Sequence, residues 1–99
     1  MFFTKKRYVT EIMKKKGFVI ANDKEEFLAE FKHNADYSLR KWAITPELAL
    51  VFHSRLKAQE AVKNIQDDVN YRLWILELFD MGKQLAVGTE DEDKPDWLT

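Results

Sequence analysis

His33 and His53 are the two histidines of this sequence, and a metal centre would have to draw on them together with convergent neighbours. They stand twenty residues apart, and neither has a His-x-His or His-x-x-x-His partner, so no metal centre is expected. Ser54 beside His53 has the residue type of a nucleophile next to its base. Adjacent strand positions point to opposite sides, however, and no oxyanion-hole loop is evident, so Ser54 reads better as a helix cap. Glu25 with Glu26, and Asp67 with Asp68, are sequence neighbours that do not face each other across a substrate. Gly17, Gly82 and Gly88 form neither a Walker-type loop nor a dinucleotide fingerprint. No catalytic, metal-ligating or cofactor-binding residue is assigned, no cofactor is expected, and the chain is expected not to be an enzyme. An enzyme assembled from distant segments ranks third among the functional readings.

Charge is more informative. Residues 1–20 carry Lys5, Lys6, Arg7, Lys14, Lys15 and Lys16 against Glu11 alone, whereas residues 90–99 carry Glu90, Asp91, Glu92, Asp93 and Asp96 against Lys94. The six cations are the candidate contacts of a weak, sequence-tolerant nucleic-acid binder, because lysines reach phosphates without encoding a base pattern. A formal net charge of -1 favours instead a solvated face whose long side chains cover apolar surface. A membrane is not expected as a partner, since the apolar stripe between these cations is narrow and needed for a core. Behind the acidic run, Trp97 and Leu98 give a tail with an apolar end, suited to a basic-rimmed groove on a partner or to residues 5–16 of the same chain.

The elements that position these residues must fit in one domain of 99 residues, in which 45% hydrophobic and 13% aromatic side chains suffice for a modest core. The absence of cysteine excludes disulfides and thiolate metal sites and fits a reducing compartment. The opening residues lack the apolar run of a secretory signal, and no stretch of about 20 apolar residues is present, so a cytoplasmic protein is expected.

Thr4 caps an expected helix carrying Tyr8, Val9, Ile12 and Met13 on one face, with Gly17 in the left-handed position past its last turn. A short strand at 18–21 leads to Asn22 or Asp23, which with Glu25 or Glu26 predicts a capped second helix bearing Phe27, Leu28 and Phe31. Residues 37–44 read as a strand. Thr45, Pro46 and Glu47 then start either one long helix to about residue 68 or, as preferred here, a turn before a strand at 48–53 and a Ser54-capped helix with Ala58, Ala61, Val62 and Ile65 inward. Residues 71–79 form the clearest strand, turning through 80–83 into 84–88.

Alternation along 71–79 sets Tyr71, Leu73, Ile75, Glu77 and Phe79 on one face and Arg72, Trp74, Leu76 and Leu78 on the other. Both faces are apolar, so the strand is either central between two layers or covered on one side by another chain. Trp42, the 49–52 run, Ser54 opening an alanine-bearing helix and a final aromatic strand together resemble many small proteins of phages, plasmids and other mobile elements. The expected fold is α+β: a single domain over 1–89, an antiparallel sheet packed by two or three helices, and a flexible acidic tail over 90–99. The expected function is a non-catalytic accessory protein-interaction domain that self-associates, with Trp74, Leu76, Leu78 and Trp97 as partner-binding residues. Nucleic-acid binding by the six N-terminal cations is the alternative.

Overall fold

The computed structural model describes residues 14–98. Asn22 decides how this part of the chain first reverses. Its backbone N–H donates to Glu26 O (3.0 Å), its Oδ1 accepts from the N–H groups of Lys24 (2.9 Å) and Glu26 (3.1 Å), and its Nδ2 donates to the Glu26 carboxylate (2.9 Å). Glu25 adopts the left-handed φ of 60° that the turn requires. The result is a tight hairpin joining β1 (Lys14–Asn22) to β2 (Phe27–His33), where a capped second helix was expected. An asparagine that closes a turn and one that caps a helix offer the backbone the same acceptor, so the cap signal misleads. Burial decides between them. Adjacent Phe27 and Leu28 are both fully buried, in clusters on opposite sides of the sheet, which strand alternation allows and one helical stripe does not.

The expected first helix is corrected at its end: Lys14, Lys15, Lys16 and Gly17 open β1 instead of forming a last helical turn. Its remainder, with Lys5, Lys6 and Arg7, lies outside the described residues. Gly17 has a positive φ of 147°, in a β-bulge where the register of β1 against β4 (Leu73–Asp80) shifts between Lys15 and Gly17.

β3 (Ser38–Ala43) pairs with β2. A 3-10 turn, Pro46–Leu48, replaces the simple turn, and the expected strand at 48–53 reduces to a single bridge between Phe18 and Phe52. Ser54 caps α1 (Arg55–Gln66) as expected, its Oγ accepting from Lys57 N–H at 3.2 Å. β4 and β5 (Leu85–Gly88) follow as expected. The five strands form one curled antiparallel sheet in the order β3-β2-β1-β4-β5, with β1 at its centre.

The expectation of two or three packing helices is therefore corrected, because α1 is the one α-helix among the described residues. It buries Ala58, Ala61 and Ile65 on one face of the sheet, the last two against Ile20, Leu28 and Leu73. The opposite face, carrying Val19, Ala21, Phe27, Leu76 and Leu78, is covered by no α-helix among the described residues. It is closed by Ala49 and Val51 and by the last described residues. The flexible tail is corrected with it: the acids at 90–93 are exposed, but Pro95 and Leu98 are buried and Trp97 is half-buried. Covering a bare apolar face yields about 1.5–3 kcal/mol per large side chain, which outweighs repulsion among solvated acids.

Candidate functional site

The β4 face is where two sets of residues singled out by sequence meet. Trp74, Leu76 and Leu78 lie on one side of β4, as alternation requires, and Trp97 with Leu98 packs on that same side. Leu76 and Leu78 are almost wholly closed off within the chain, while Trp74 is half-buried. The segment covering them is pinned at several points. Leu98 N–H donates to Pro95 O at 3.0 Å, turning the chain so that both side chains reach the sheet. The Trp97 ring meets Phe27 edge-on, with centroids 5.8 Å apart and planes at 81°, and its Nε1–H donates to Asn22 O at 2.9 Å. Arg72 forms an ion pair with Asp93 and places its guanidinium 5.0 Å over the Trp74 ring. The Trp74 indole N–H is buried on this face without a hydrogen-bond partner.

A second site lies towards the basic end of β1. The backbones of Phe18 and Phe52 exchange hydrogen bonds in both directions at 2.8 Å, bringing the start of α1 beside Lys15. Lys15 Nζ lies 4.6 Å and Arg55 Cζ 5.0 Å from the Phe18 ring centroid. The same two cations reach the Glu77 carboxylate at 3.7 and 4.0 Å. That carboxylate is only 4% exposed, so the two cations compensate a charge that burial would otherwise make costly. Lys14, Lys15, Lys16 and Lys57 are exposed and Arg55 is half-buried; Lys14 stands opposite Asp80 in the strand register, on the other side of the sheet from Lys15. Sequence reading singled out Lys15 but missed Arg55, forty residues away, which reaches the same ring and the same carboxylate.

The remaining candidates do not converge on chemistry. His33 stacks on Phe31, with centroids 6.1 Å apart, and His53 is exposed beside the Ser54 cap. Asp23, Asp67 and Asp68 border an open depression at the far end of α1, where Asp68 pairs with Arg40 at 3.4 Å. Among the described residues no three His, Cys, Asp or Glu side chains group as metal ligands, and no helix is long and apolar enough to cross a membrane. No protein-family model matches the sequence, and neither curated proteins nor solved structures include a significant match.

Proposed function

We propose that this chain is a non-catalytic accessory protein-interaction domain that self-associates by exchanging its 90–98 segment between copies. Trp74, Leu76 and Leu78 form the receiving face, and Trp97 is the anchor of the segment that enters it. The observation that carries this reading is the fit of Trp97 and Leu98 on the β4 face within one copy. Any surface that accepts a segment in cis accepts the identical segment of a second copy in trans, with the same contacts and little new strain. The exposed acids at 90–93 serve as the hinge, because little apolar surface holds them down and their mutual repulsion favours an extended link.

Light scattering after gel filtration, across a concentration series of the full chain, tests the proposal. Concentration-dependent dimers are expected, and Trp97→Ala should return them to monomer. A chain that stays monomeric at its highest soluble concentration, or a Trp97→Ala variant that dimerises as before, defeats the reading.

A further inference from the structure

We propose that Arg72 is the latch of the 90–98 segment: by holding Asp93 against Trp74 it sets how readily the segment lifts from the β4 face and passes to a second copy. The inference rests on the exchange of segments between copies and names what regulates it. Arg72 directly precedes β4, and its guanidinium touches both sides of the contact. It donates to the Asp93 carboxylate in the segment and lies 5.0 Å over the Trp74 ring on the receiving face. Asp93 stands where the exposed acids end and the anchored part, with buried Pro95 and Leu98, begins. The latch therefore sits at the junction of hinge and anchor. Departure of the whole segment breaks it, together with the Trp97 hydrogen bond to Asn22 O.

This position separates rate from equilibrium. An exchanged dimer rebuilds the Arg72–Asp93 pair between copies, so the contact contributes equally to closed monomer and dimer and leaves their ratio unchanged. The open form that links them lacks it. A weaker latch populates the open form, and exchange speeds up in both directions by the same factor. Removing Trp97 differs in degree: loss of the main anchor makes the open form outweigh both closed ones, and dimers dissolve. Arg72 and Asp93 are each more than half exposed, so the latch is a charge contact in water that salt weakens. Ionic strength thus becomes a control on exchange. Arginine suits the place because a planar guanidinium pairs with a carboxylate and lies on a ring at once.

Hydrogen exchange of the Trp97 indole N–H, followed by NMR on the full chain at a dilution where it is monomeric, reads lifting directly, because that proton is bonded to Asn22 O only while the segment is closed. Arg72→Gln should lower its protection about fivefold, the size expected of an exposed ion pair joined to a cation–π contact. Amides in the middle of β1 and β4 should keep theirs. Asp93→Asn should act in the same direction, and the double variant should lose no more than the larger single one. The gap between parent and Arg72→Gln should narrow as salt is raised. Unchanged protection in Arg72→Gln, additive losses in the double variant, or equal losses at the central amides overturn the latch. Dilution of isolated dimers, followed by gel filtration, reads the exchange itself. Arg72→Gln should dissociate faster by the same factor at an unaltered equilibrium ratio, and a changed ratio at an unchanged rate overturns the proposal. If neither parent nor variant dimerises, exchange between copies fails, while the protection of Trp97 still decides the latch.

Discussion

A side chain at position 17 has no room. Its Cβ would meet Phe52 O at 2.5 Å and Val51 Cγ1 at 2.9 Å, and the φ of 147° is one that L-residues avoid. Gly17→Ala is therefore expected to cost about 2 kcal/mol or more, through backbone strain and crowding together. Urea unfolding measures it, and an unchanged midpoint would show that the bulge relaxes freely. Asn22 does a different kind of work. It satisfies two backbone N–H groups and the Glu26 carboxylate while its own carbonyl receives Trp97. Asn22→Ala removes the three side-chain hydrogen bonds of a buried residue and should cost about 2 kcal/mol. Asn22→Asp keeps the acceptor but sets a second negative charge beside Glu26, so its midpoint should fall between those of the parent and the alanine variant.

Among the elements, the 90–98 segment and α1 play equivalent parts, each covering one apolar face of the same sheet. Truncation after Thr89 uncovers the β4 face and removes Leu98 from the core, and should lower stability by about 3 kcal/mol or more. For a domain of this size that corresponds to a fall of more than about 10 °C in Tm, measured by circular dichroism. A truncated chain melting within a degree or two of the parent would mean that the segment contributes no net stability. The segment was unreadable as structure in the sequence because its two anchors follow a run of acids, and local composition outvotes a pair of apolar residues when the surface awaiting them is unknown. β4, β5 and the Ser54-capped helix were legible because each carries its own signal: two-sided alternation, a glycine turn, and a cap followed by small inward residues. β2 was not legible. The Asn22 turn imitates a helix start, and only the burial of Phe27 and Leu28 on opposite sides separates the alternatives. For the same reason Lys15 was visible and its neighbour Arg55 was not, since tertiary pairing brings the two to Phe18 and Glu77.

At the scale of the molecule, the central strand is paired mainly with a partner far along the chain, since Lys14 stands opposite Asp80 and Asn22 opposite Leu73. Closing that loop costs entropy before any contact repays it, so folding is expected on a millisecond to second scale, slower than for a helical bundle of the same length. Stopped-flow refolding measures the rate, and a major phase faster than about a millisecond would show that local contacts dominate the barrier. The placement of the three tryptophans has a separate, practical consequence. Trp42 packs edge-on to Tyr71 at 6.0 Å and belongs to the helix-covered side, whereas Trp74 and Trp97 share the other. With Trp42 replaced by phenylalanine, selectively excited tryptophan emission would come only from the β4 face and the segment that covers it. Lifting the segment would move Trp97 from a half-buried position into water and shift that emission to the red, so the chain carries its own optical gauge of whether the face is open.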